Sequence, residues 1–225
     1  MWPLVFFLFL CCISAHCQTS NERFKHFVER FPNRLYAQQI YPYDSTYRWD
    51  LWSAPESVRE LDSADVVDFL CQYRNWECLW FKRLQRIQYW PLFRVEVNKD
   101  IVLLVYNIEY DHAHYAVNVV STFSRKRKER ISSLVLDGFF PGSCFVTSTI
   151  NRDFEIQTKN LLVYTGIMQY TEAKYFDVKV VNSTYKINMK GVIEVMSEQT
   201  RSYVGKWDED NLAPWPGIIY PVTPE

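Results

Sequence analysis

The chain has 225 residues, 25 basic and 26 acidic side chains, 48% hydrophobic and 23% charged residues, which is a globular composition with room for one or two domains. Six Gly and ten Pro exclude a collagen-like or low-complexity chain, and the apolar content excludes a chain disordered throughout. A formal charge of −1 argues against a whole-surface electrostatic footprint for nucleic acid.

Met1–Cys17 contains no Asp, Glu, Lys or Arg and holds the apolar run Leu4–Leu10. It reads as a secretory signal peptide, because the run is too short for the roughly 20 residues that cross a hydrocarbon layer, and no later segment approaches that length. The expected product is secreted and extracellular, without a transmembrane span. Cleavage after Cys17 leaves Cys71, Cys78 and Cys144, whereas cleavage after Ala15 keeps Cys17 as well. In an oxidising compartment such thiols supplement a core with disulfides.

Thr19-Ser-Asn-Glu22 forms a capping-box pattern, and Phe24, Phe27, Val28 and Phe31 follow at i, i+3, i+4 and i+7. This predicts a helix over 20–31, ended by Pro32. Residues 32–54 are rich in aromatics without a period and predict an irregular packed segment. A second helix is expected over 63–74, capped by Asp62 or Ser63, with Val66, Val67, Leu70 and Cys71 on its apolar side. Continuous helix through Cys78 would separate the two thiols by about 10.5 Å of rise, beyond the roughly 7 Å a disulfide spans. The helix therefore stops near Asn75 and Cys71 pairs with Cys78, or one of the two reaches Cys144.

Beyond Pro91 the period changes to two. Phe93, Val95 and Val97 alternate with polar residues, Asn98-Lys-Asp100 supplies a turn, and the apolar run Ile101–Tyr110 follows. Further strands are expected over 114–123, 131–137, 144–150 and 160–168. A late hairpin places Phe176, Val178 and Val180 before a turn at Asn182-Ser183-Thr184, with Tyr185, Ile187 and Met189 beyond it and a last strand at Val192–Met196. That turn carries an N-x-[ST] sequon, which makes Asn182 a glycosylation candidate. The organisation predicted is a signal peptide over 1–17, a single domain over 18–204 and an extended tail over 205–225 containing Pro and Trp. The predicted fold is α+β, with two N-terminal helices packed on a large curved antiparallel β-sheet; the alternative is an all-β barrel with a helical entry.

Chemistry is sparse. Asp111-His112-Ala113-His114 is the best metal-ligand pattern, since histidines at i and i+2 of a strand point the same way, but no second cluster supplies further ligands. It stands against a plain polar turn, and no metal or cofactor is expected. Arg125, Lys126, Arg127, Lys128 and Arg130 form a basic run that reads as a solvated loop, an anionic-partner patch for sulfated glycans, or a processing site. No G-x-S-x-G elbow, H-E-x-x-H, Gly-rich phosphate loop, C-x-x-C or EF-hand loop occurs. A helical entry and a later meander invite comparison with lipocalins, but Tyr47-Arg48-Trp49 lacks the glycine of their Gly-x-Trp signature, and that family is not assigned.

The function expected is a secreted, non-enzymatic binding module for a small apolar ligand or an extracellular protein partner. A divergent extracellular hydrolase or metal-dependent enzyme is the alternative, and sulfated-glycan binding through residues 125–130 is a further one. The abundance of aromatics, 15 Tyr, 15 Phe and 8 Trp, suits either a ligand cavity or a filled sheet core.

Overall fold

The computed structural model describes residues 21–36, 39–41, 59–71, 87–110, 115–140, 144–164, 175–206 and 220–221. The expected signal peptide, the Asp111–His114 pattern, Cys78 and most of the tail fall outside these residues.

Residues 21–29 are helical and form α1. Its apolar stripe is the one that the spacing predicted: Phe24, Phe27, Val28 and Phe31 are all buried. Asp62 accepts a hydrogen bond from the Asp65 amide at 2.8 Å and caps the second helical element, as expected. That element is much shorter than predicted. A three-residue α-turn, α2 (Ser63–Asp65), widens at once into a π-turn (Val66–Leu70), which the Cys71 N–H closes onto the Val66 carbonyl at 2.9 Å. Phe69, rather than Val67, joins Val66 and Leu70 in the core, where it stacks on Phe27 with ring centroids 4.7 Å apart.

The strands are β1 (Gln39–Tyr41), β2 (Ile87–Asn98), β3 (Ile101–Tyr110), β4 (Tyr115–Ser124), β5 (Glu129–Phe140), β6 (Cys144–Ile150), β7 (Glu155–Tyr164), β8 (Tyr175–Ile187), β9 (Ile193–Lys206) and β10 (Tyr220–Pro221). They join one sheet in the order β10-β9-β8-β7-β6-β5-β4-β3-β2, with β1 added to β6, and each strand from β2 to β9 runs antiparallel to its sequence neighbour. The sheet is open: among the described residues the end strands β2 and β10 do not pair with each other.

This corrects the expected architecture on two points. One N-terminal helix, with a separate short mid-chain helix, packs on the sheet in place of two N-terminal helices. The eight long strands β2 to β9 also do not close, so the barrel alternative is withdrawn. The composition is β-rich as expected. Cys71 is itself disulfide-bonded, but no described side chain is identified as its partner, so neither expected pairing is established, and nothing verifies export or a glycan.

Hairpin turns reuse one device. Asn98 Oδ1 accepts from the amides of Asp100 and Ile101 at 2.9 and 3.0 Å. Asn151 Oδ1 accepts from Asp153 and Glu155 at 3.0 and 2.9 Å, and Asn188 Oδ1 from Lys190 and Val192 at 2.9 and 3.0 Å. A short amide side chain replaces the missing ladder partners at each reversal. Pro91 sits inside β2 because β2 is an end strand with a register shift between Pro91 and Phe93, where a missing N–H is tolerated. The outer edge of β2 is partly covered, since Arg94 N–H donates to Pro32 O at 2.8 Å and the Arg34 and Leu61 amides donate to the Arg94 and Tyr89 carbonyls at 2.9 and 2.8 Å.

Two cores result. The α1 stripe and the π-turn pack on Tyr89, Val102, Leu104, Tyr106, Val119 and Phe123 of β2 to β4. Alternate residues of the same strands, including Phe93, Val95, Leu103, Val105 and Val120, pack in a second core with Ile150, Ile156 and Ile187 from β6 to β8. Sheet alternation places the two sets on opposite faces, so β6 to β8 supply buried side chains to the face that α1 leaves open.

Candidate binding face

The face of β6 to β8 that carries Ile150, Ile156 and Tyr185 is built by register. Ile150 lies opposite Ile156, which lies opposite Tyr185; one step along, Ser148, Thr158 and Ser183 are cross-strand neighbours; one step further stand Val146, Asn160 and Val181. Side chains at i and i+2 share a face, so a polar row runs between two flanking rows that are mostly apolar. Ser148 is 3% exposed and Thr158 5%. Their hydroxyl oxygens, together with Asn160 Oδ1, are buried without any hydrogen-bond partner. Ser183, equally buried, donates to Glu198 Oε2 at 3.3 Å at the β9 side of the row.

A second buried polar row crosses β3 to β5. Asn107 Nδ2 donates to Asn118 Oδ1 at 3.1 Å, and Asn118 donates through its side chain to Asp137 Oδ2 at 2.8 Å and through its backbone to Oδ1 at 3.0 Å. Burial pushes the Asp137 carboxyl up to about 6, although the two Asn118 bonds pull it back down. A register shift between Asn118 and Val119 brings Asp137 opposite Asn118. Unlike Ser148 and Thr158, this row is internally satisfied.

The expected site residues are not brought together. Asp111, His112 and His114 lie outside the described residues, and among those described no group of three or more His, Cys, Asp or Glu could hold a metal. Cys71, which is disulfide-bonded, ends the π-turn and Cys144 opens β6, and the expected choice of partner is not tested. Asn182 does not sit in a turn: β8 runs unbroken through it, pairing it with Lys159 and Gln199, and the reversal comes at Asn188–Gly191. Strand pairing on both sides overrides the turn preference of Asn-Ser-Thr.

The basic run does form the hairpin turn between β4 and β5. Its charge is partly neutralised, because Arg125 Nε lies 3.3 Å from Glu96 Oε2 and Arg127 Nε lies 2.9 Å from Glu129 Oε1. A shallow depression of about 410 Å³ lies at the far end of β8 and β9, lined by Asp177, Val178, Lys179, Ser202, Tyr203 and Val204. Burial raises the Tyr203 phenol there.

Sequence reading missed both polar rows. The signal was present in Ile156-x-Thr158-x-Asn160, where residues of one face pass from apolar to polar, but small polar side chains in a strand read equally well as its solvent face. Compared with protein-family models, with curated proteins and with solved structures, the chain matches none.

Proposed function

We propose that this protein is an extracellular, non-enzymatic binding module whose β6 to β8 face receives a small, largely apolar ligand. The observation that carries this reading is the pair of unpartnered hydroxyls, Ser148 and Thr158, buried beside the Ile150–Ile156 row. A buried polar group without a partner costs about 1–3 kcal/mol, and a resident molecule offering hydrogen bonds recovers it. The export part of the proposal rests on Met1–Cys17.

Catalysis has less support. Asp137 is the one described group pushed far from its usual range, and both its oxygens are engaged by Asn118, which leaves it unsuited to attack or to proton transfer.

Native mass spectrometry of protein secreted by eukaryotic cells, repeated after denaturation, tests the proposal. Mass that leaves on denaturation is the expected result. A secreted protein without releasable mass would count against the ligand, and a protein never secreted would remove the extracellular setting.

A further inference from the structure

The ligand's chemistry can be narrowed, in an inference that rests on the binding function just proposed. The polar row is neutral. Ser148 and Thr158 each offer one O–H and two lone pairs, and Asn160 Oδ1 offers an acceptor, with no partner for any of the three oxygens. Along this face, from Val146 to Ile150, Ile156 to Asn160 and Val181 to Ile187, alternation places Ser, Thr, Asn, Tyr and aliphatic residues and no Lys, Arg or His. On the β9 side of the row the register places Glu198, which is exposed and engaged by Ser183.

A carboxylate or phosphate would enter without a counter-charge, at a desolvation cost that neutral hydroxyls repay only in part. An ammonium would find one carboxylate, outside the buried part of the row. A pure hydrocarbon would leave all three oxygens unsatisfied. A neutral hydroxyl satisfies them, because it donates to Asn160 or to one hydroxyl while accepting from the other; the three oxygens are closed off from solvent and Ile150 and Ile156 are packed in the second core, so its apolar body enters by opening that packing.

We infer that the row Ser148–Thr158, with Asn160, recognises the hydroxyl of a neutral apolar alcohol and discriminates against acids and hydrocarbons of the same length. The row works as a filter: the uncompensated oxygens favour a guest that brings hydrogen bonds and no net charge.

The test uses 1-decanol, decanoate and decane as probes on the full secreted chain stripped of bound material, with the shift in melting temperature read against probe concentration. Decanol should raise it saturably, with decanoate and decane bound about tenfold or more weakly, the loss expected for one charged or missing hydrogen-bonding group. Thr158→Val keeps the shape and removes the hydroxyl, Ser148→Ala is the second variant, and Thr149→Val, whose side chain is exposed on the other face of β6, is the control. Each row variant should bind decanol about tenfold more weakly while the control binds normally.

Equal shifts for decane and decanol, or unchanged decanol binding in both row variants, would overturn the inference. If the protein as secreted carries releasable mass and yet discriminates none of the probes, the binding function survives and the alcohol class falls. If it carries none and no probe binds, the oxygens hold ordered water only, and both fall.

Discussion

At the scale of single residues, Asp137 makes the sharpest prediction. Its carboxyl has an ordinary value of 3.8 in the unfolded chain and about 6 in the fold, so the folded state keeps its proton longer. The associated stability is fully present below the unfolded value and is lost as pH rises through 6, a change on the order of 3 kcal/mol. Urea unfolding should therefore give a larger contribution from this group at pH 4 than at pH 7.5. Asp137→Asn, neutral at both, should remove most of that difference. If the pH dependence of the variant matches that of the parent, Asp137 is not its source.

Gly191 is the other residue whose identity is dictated locally. Its φ of +82 closes the β8–β9 turn, and a Cβ there would stand 2.8 Å from Ile131 Cδ1 and 3.0 Å from Ile101 Cγ2. Gly191→Ala combines left-handed strain with that contact and should cost about 2 kcal/mol, read as a lowered urea midpoint with unchanged slope.

Among elements, α1 carries the clearest energetic weight. Phe27 is wholly buried and meets Phe31, Phe69 and Phe123 at ring-centroid distances of 5.5, 4.7 and 5.9 Å. Phe27→Ala removes the centre of this cluster and should destabilise by about 3–5 kcal/mol in chemical denaturation. A loss under 1 kcal/mol would mean that α1 adds little to the sheet it covers.

The same element shows what could be read beforehand. Four Phe and Val residues at helical spacing identified α1 and its buried stripe from sequence, and β3 and β6 were found with their exact limits, because apolar runs bounded by turn residues leave few alternatives. The second helix was overextended, since nothing in Val66–Leu70 distinguishes a π-turn from an α-turn. The late hairpin was misplaced because Asn182-Ser183-Thr184 carries turn residues in a strand whose partners, β7 and β9, are defined only by long-range pairing. The polar rows were illegible for a related reason: whether a Ser or Thr in a strand faces water or a core depends on what lies across it.

For the whole molecule, burial falls from one end of the sheet to the other. Val102 to Val105 of β3 are completely buried, as the central strand of the region that α1 and β6 to β8 cover from opposite sides. In β9 every residue from Glu194 to Ser202 is exposed, and the only described strand on its outer edge is the two-residue β10. Hydrogen exchange should consequently be slowest in β3 and β4 and fastest in β9, outside its pairing with β10. Uniform protection across the sheet would contradict this gradient and imply that the β9 edge is covered in solution.

The central claim is that Ser148 and Thr158 are held unsatisfied in the empty protein for the sake of a guest. The measurement that tests it most directly is the unfolding free energy of stripped wild type and Thr158→Val, each with and without saturating 1-decanol. Without decanol the valine variant should equal or exceed wild type in stability, by up to about 1–2 kcal/mol, because it removes a buried orphan hydroxyl at constant shape. With decanol the order should reverse. A variant that loses the same stability in both conditions would show that the Thr158 hydroxyl serves the fold alone, contradicting its role in recognition.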